Sequence, residues 1–201
     1  DGNTMHGKYI AMDGADGSDV RSPLLFSTFK IETKEQGRVM CHVNSLGYHE
    51  VYVNGCKVGD AVLAPAVSQL GKRSLIVTYD ITDYAEKGEN SIALWLGQGW
   101  YKKTTYGAQY DGPVVRAEID FCTSKGDYKV LASTDETWRG VEGGYYDTGT
   151  WMALQFGGEH LDGRIKPTDV TCQALSNRKN RTVTVVQVPQ HKVSPQMCEN
   201  N

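Results

Sequence analysis

The sequence predicts an all-β fold, an antiparallel jelly-roll-like β-sandwich with N- and C-terminal arms. Three observations lead there. Apolar and polar residues alternate with period two in several short runs, as half-buried strands require. An Asn-Gly pair sits between two such runs. The 22 glycines in 201 residues supply the turns that sandwiches need, and helical periodicity is poor throughout.

The elements follow in order. Residues 1–22 are polar and rich in Gly and Asp, and they read as an N-terminal arm. From Pro23 short apolar runs alternate with turn signals, and residues 23–160 make up the sandwich. Within 38–43, Val39, Cys41 and Val43 share one face and Arg38, Met40 and His42 the other. Residues 48–58 hold the strongest local signal: Asn54-Gly55 joins two alternating runs, and both positions of a type I′ turn need φ > 0. Further strands are expected at 75–80, 92–96, 114–121 and 128–133. In 114–121 Val115, Ala117, Ile119 and Phe121 point one way, and Arg116, Glu118 and Asp120 the other, leaving one wet face. Residues 83–88 could make one helical turn ended by Gly88. The tail, 161–201, is more polar but contains one further strand at 182–188.

Composition excludes several classes. A net charge of −3 does not suit a nucleic-acid partner, which needs clustered Lys and Arg. The run Arg178-Lys179-Asn180-Arg181 is short and reads as a solvated loop. No segment approaches the ~20 consecutive apolar residues of a membrane span, and residues 1–5 lack the pattern of a signal peptide. The five cysteines, at 41, 56, 122, 172 and 198, match neither zinc spacing nor a disulfide framework, and their pairing stays open. Cys41 and Cys122 sit in strand-like alternations, where a thiol acts as a small hydrophobe. The five histidines are scattered. Asp13, Asp16 and Asp19 could hold Ca²⁺, but their spacing misses the EF-hand pattern, so a solvated loop is favoured and no cofactor is assigned.

Three passages together resemble the N-terminal β-domain of the bacterial α-L-rhamnosidases, glycoside hydrolase family 78. The first runs Ser45-Leu46-Gly47-Tyr48-His49-Glu50-Val51-Tyr52-Val53-Asn54-Gly55-Cys56-Lys57-Val58-Gly59-Asp60. The second joins Tyr79-Asp80-Ile81-Thr82-Asp83 and Gly88-Glu89-Asn90 to Leu96-Gly97-Gln98-Gly99-Trp100-Tyr101. The third is Thr134-Asp135-Glu136-Thr137-Trp138, followed by Tyr145-Tyr146-Asp147. The resemblance covers about residues 20 to 150. In the tail, Val185-Val186-Gln187-Val188-Pro189, with Pro195-Gln196-Met197-Cys198 after it, resembles the strand by which these enzymes leave this domain.

The resemblance implies a non-catalytic accessory domain whose partner is a downstream catalytic (α/α)₆ barrel of the same polypeptide. It further implies rhamnose-containing glycans as ligands and a periplasmic or extracellular location. Glycoside hydrolysis needs a carboxyl pair at ~5–5.5 Å or ~6.5–9.5 Å, and none of the 24 acidic residues is singled out for it, so no catalytic residue is expected. Trp100, Tyr101 and Tyr106 are the first candidates for a sugar platform, because pyranose C–H faces pack on aromatic rings. The favoured alternative has Trp100 plugging one end of the sandwich. Tyr145, Tyr146 and Asp147 form a second aromatic–acid cluster on a Gly-flanked loop. One departure weakens the case for sugar or calcium. After Ala64-Pro65, where relatives resemble Gly-Trp-Thr-Asp-Tyr, this chain has Ala66-Val67-Ser68-Gln69-Leu70. The competing reading is a structural interdomain support without ligand.

Overall fold

A computed structural model of the chain describes residues 5–20, 22–33, 37–101, 110–148, 158–188 and 191–197. The first strands are β1 (Ile10–Met12), β2 (Leu24–Ile31), β3 (Gly37–Leu46), β4 (Tyr48–Val53) and β5 (Cys56–Lys57). Then come β6 (Arg73–Asp80), β7 (Gly88–Gly97), β8 (Val114–Thr123), β9 (Tyr128–Ser133) and β10 (Arg139–Val141). The short strands β11 (Tyr145–Asp147) and β12 (Glu159–Leu161) precede helix α1 (Cys172–Ser176), β13 (Val183–Val185) and β14 (Lys192–Pro195).

These strands make a larger sheet of order β13-β1-β8-β3-β6-β14, with β9 also on β8, and a five-stranded sheet of order β10-β2-β7-β4-β5. A two-stranded ribbon, β11-β12, forms a third sheet. From β1 to β4 consecutive strands alternate between the two sheets, and the core lies between them. Val39, Cys41 and Val43 of β3 and Val115, Ala117 and Ile119 of β8 meet Val51 and Val53 of β4 and Ile92, Leu94 and Leu96 of β7 there. Burial of the Cys41 thiol among these groups pushes its pKa up to about 12, so it packs as an apolar group.

The Asn54-Gly55 hairpin forms as expected: Asn54 has φ 50°, Gly55 has φ 81°, and Val53 pairs with Cys56. Gly47, at the β3–β4 corner, is held more tightly. Its φ is 114°, and an added Cβ would stand 2.4 Å from the Gly97 carbonyl oxygen.

Several expectations are corrected. Residues 83–88 form no helix; Tyr84 and Ala85 instead donate their N–H groups to the Ile81 carbonyl in a turn. Among the described residues the α-helix is α1, in the polar tail, where Thr171 caps it by accepting from the Ala174 N–H at 3.3 Å. Its Leu175 is fully buried over Leu24 and Phe26, so β2 is covered on both sides and shows no clean alternation to read. Inside the N-terminal arm, the run Ile10-Ala11-Met12 is a fully buried strand of the larger sheet, too short for its period to show in sequence. The strand expected at 182–188 is confined to Val183–Val185, where it pairs antiparallel with β1. The sheet is also not antiparallel throughout, since β14 runs parallel to β6. Cys122 is only partly buried. Among the described residues no helix is long and apolar enough to cross a membrane.

The two glycine corners should differ in tolerance. Gly55→Val should cost ~1–2 kcal/mol, from a β-branched residue at positive φ. Gly47→Ala should cost ~2–3 kcal/mol or more, because backbone atoms that cannot rotate away add to the strain. Urea denaturation of both variants checks this; a Gly47→Ala midpoint equal to the parent's contradicts the corner geometry.

Candidate functional site

Alternation along β4 sends His49, Val51 and Val53 inward and Tyr48, Glu50 and Tyr52 outward. On β7, Glu50 faces Trp95 in register, Tyr48 faces Gly97 and Tyr52 faces Ala93. The small partners Gly97 and Ala93 leave the aromatic rings of β4 room over the sheet. Gly99 extends that clearance, since an added Cβ would lie 3.0 Å from the Tyr48 ring. The result is an open groove of about 380 Å³ on the outer face of the five-stranded sheet, within the range of small-molecule sites.

Tyr52 and Trp95 have ring centroids 6.1 Å apart, and Tyr145 meets Trp95 edge-on at 6.2 Å. The Lys166 ammonium stands 5.5 Å over the Tyr145 ring. Glu50 accepts from the Tyr52 hydroxyl at 2.7 Å and from Lys57 Nζ at 2.8 Å. Partial burial opposes ionisation of Glu50, but the Lys57 and Tyr52 hydrogen bonds and the Lys57 charge outweigh it and hold the carboxyl below its usual range. Burial first, and then the bond to Glu50, raise the Tyr52 phenol. The groove therefore offers aromatic faces beside a carboxylate and an ammonium group, a combination able to pack an apolar face and to hydrogen-bond polar groups of one small molecule.

The expected site residues are not gathered in one place. Tyr145 lines the groove. Its neighbour Tyr146, on the other side of the β11-β12 ribbon, packs against the core and donates its hydroxyl to Glu142 at 2.6 Å. Asp147 is half-buried, with its N–H donated to the Asp19 carbonyl at 3.0 Å, and is not among the groove's lining residues. After the Gly97-Gln98-Gly99 turn it is Tyr101 that enters the core, 4% exposed against Ala11, Leu46 and Val114, while Trp100 stays 39% exposed. Burial raises the Tyr101 phenol to about 12. Tyr106 lies outside the described residues. Sequence reasoning missed Tyr48, Glu50, Tyr52, Trp95 and Lys166. The signal for three of them was present in the alternation of 48–53, whose outward face is aromatic–acid–aromatic.

In the N-terminal arm, two of the three aspartates are engaged by groups of the chain itself. Asp13 accepts from the Thr182 and Thr184 hydroxyls, which lower its pKa, and Asp16 accepts from the Asp111 N–H at 2.8 Å.

Two facing sheets around one core, with a groove on an outer face, define a β-sandwich domain. The family model described as "Alpha-L-rhamnosidase N-terminal domain" matches residues 34–201, and the chain belongs to that family, the N-terminal domain of the glycoside hydrolase family 78 enzymes. An α-L-rhamnosidase of Formosa agariphila is 32% identical over 147 residues, 69% of this chain and 15% of its own length. The α-L-rhamnosidase from Dictyoglumus thermophilum shares the fold with a TM-score of 0.80 at 21% identity, over 98% of this chain and 23% of that one. The Streptomyces avermitilis α-L-rhamnosidase complexed with L-rhamnose matches with a TM-score of 0.69 at 21% identity, over 87% of this chain and 17% of that one. The chain thus spans less than a quarter of each of these relatives.

Beneath the groove, His49 is buried, with the Ser45 hydroxyl 2.6 Å from Nδ1 and the Tyr79 hydroxyl 3.0 Å from Nε2. Burial lowers its pKa from 6.5 to about 3. The unfolded chain takes up this proton near pH 6.5 and the folded chain does not, so stability is full above pH 6.5 and falls as pH drops towards 3. One such group contributes a slope of about 1.4 kcal/mol per pH unit. Denaturation of the parent and of His49→Gln between pH 7 and 4 should show a shallower decline in the variant. Parallel curves would sink the assignment.

Proposed function

We propose that this chain is a non-catalytic accessory domain of an α-L-rhamnosidase-like glycoside hydrolase, secreted to the periplasm or beyond. In it, the groove of the five-stranded sheet helps recognise rhamnose-containing glycans while the domain packs on the catalytic module of the same polypeptide. The observation that carries this reading is the convergence of Tyr52, Trp95 and Tyr145 with Glu50 and Lys166 in one open groove. A 6-deoxy sugar presents a methyl group and C–H faces to the rings and several hydroxyls to the charged groups. Family membership supports the parent enzyme's class, and the L-rhamnose complex of the Streptomyces avermitilis relative supports the ligand class.

An open groove buries little of a monosaccharide, so affinity should be weak, with Kd near ~1 mM. Titration of the chain with L-rhamnose, followed by calorimetry or NMR with and without Ca²⁺, should show saturable binding. Tyr145→Ala should weaken it at least tenfold with little change in Tm, since that ring lies at the groove's wall. Silence up to tens of millimolar, far above ~1 mM, would leave the structural-support reading in its place.

Hydrolysis is a separate matter. The purified chain should not turn over an aryl α-L-rhamnoside. Turnover that survives purification and disappears on replacing one carboxylate of this chain would refute the non-catalytic reading.

A further inference from the structure

The outer face of the larger sheet carries a second pocket, of about 390 Å³, built on two carboxylates. Alternation along β8 turns Val115, Ala117 and Ile119 into the core and Glu118 and Asp120 outward. Outward does not mean solvated here, for Glu118 is 4% and Asp120 6% exposed. Carboxylates are rarely buried this far unless a cation or several donors satisfy them. Glu118 accepts the His6 backbone N–H at 2.5 Å, with His6 Nδ1 at 3.0 Å. Asp120 Oδ2 has His42 Nε2 at 3.4 Å, while His42 Nδ1 lies 2.8 Å from the Thr78 hydroxyl. The other oxygen, Asp120 Oδ1, is buried without a hydrogen-bond partner among the described residues. Asp120 lines the pocket, so a carboxylate left with one unsatisfied oxygen borders the space that a donor from outside would enter.

The rest of the lining says which donor. Met5, Ile76 and Pro195 make apolar walls, and the Tyr128 ring is 61% exposed. Acid groups set among apolar walls and an aromatic ring suit a side chain with a methylene stem and a cationic head. The stem packs on the walls, the head pairs with the carboxylates, and the ring face adds a cation–π contact. A guanidinium has donors enough to reach both carboxylates at once. A metal ion fits less well, because among the described residues no group of three or more His, Cys, Asp or Glu gathers to ligate one.

We propose that this pocket is a docking socket for an arginine side chain presented by another protein surface. The Asp120 and Glu118 carboxylates receive the guanidinium, and Tyr128 covers it. The socket and the sugar groove lie on opposite sheets, so the two readings stand or fall separately.

The test is an NMR titration of the full 201-residue chain with Nα-acetyl-arginine N-methylamide. The norleucine analogue, of similar stem and no charge, is the control. Saturable shifts confined to amides of β3, β6, β8 and β9 are expected, with Kd on the order of millimolar. The norleucine probe should be silent. Asp120→Asn should weaken arginine binding at least tenfold without lowering Tm, because it removes a buried charge lacking a full partner. Should that variant fail to fold, Glu118→Gln and Tyr128→Ala at the exposed ring carry the same comparison. Equal response to both probes, undiminished binding by the folded variants, or saturation by Ca²⁺ with the arginine probe silent would each overturn the proposal.

Discussion

Burial of the period-two apolar faces of β3 and β8 against those of β4 and β7 is the constraint on which the rest of this structure depends. Once Val115, Ala117 and Ile119 face Ile92, Leu94 and Leu96 across the core, no strand can slip by one residue without turning its apolar set outward. Both outer faces then follow from geometry. The residues that alternate with the core set must stand on the outside, wherever function or chance has placed tyrosines and carboxylates. Tyr48, Glu50 and Tyr52 on one sheet, and Glu118 and Asp120 on the other, owe their positions to valines and isoleucines that touch neither pocket.

What lies over the outer faces decides which part of each is open. On the five-stranded sheet, α1 and Val170 cover Leu24, Phe26 and Ala93, and the Cys172 N–H ties the helix to the Ser91 hydroxyl at 2.6 Å. The uncovered end of that sheet is the aromatic groove. On the larger sheet, β14 pairs with β6, and His191 bonds Ser74, whose neighbour Asn44 is buried among donors and acceptors. These contacts close one side of the carboxylate pocket through Pro195. The tail, polar in composition, is therefore part of the sandwich: it covers part of the five-stranded sheet, adds β13 and β14 at the two ends of the larger one, and lends Lys166 and Pro195 to the two pockets.

Glycines act at the corners where those surfaces meet. At Gly47 the chain passes from one sheet to the other so close to Gly97 that no side chain fits. Gly97 and Gly99 in turn leave space for the Tyr48 ring, and the turn between them brings Tyr101 into the core and leaves Trp100 at the surface. A ring that is large and apolar in sequence can thus end on either side of a turn, and one residue decides which.

Much of this protein was determined by its sequence alone. Period-two alternation and Asn54-Gly55 specify strands and a hairpin from local physics, because side-chain direction and positive φ are properties of a few adjacent residues. The outward trio Tyr48, Glu50 and Tyr52 was legible on the same grounds. Other features were not. The doubly covered β2 lacks alternation, the three-residue β1 is too short to have a period, and α1 is stabilised by Leu175 meeting residues about 150 positions earlier in the chain. The convergence of Trp95, Tyr145 and Lys166 with β4, and the burial of Asp120, depend on pairings between distant segments. Local propensity carries no information about such pairings, so only the tertiary structure could decide them.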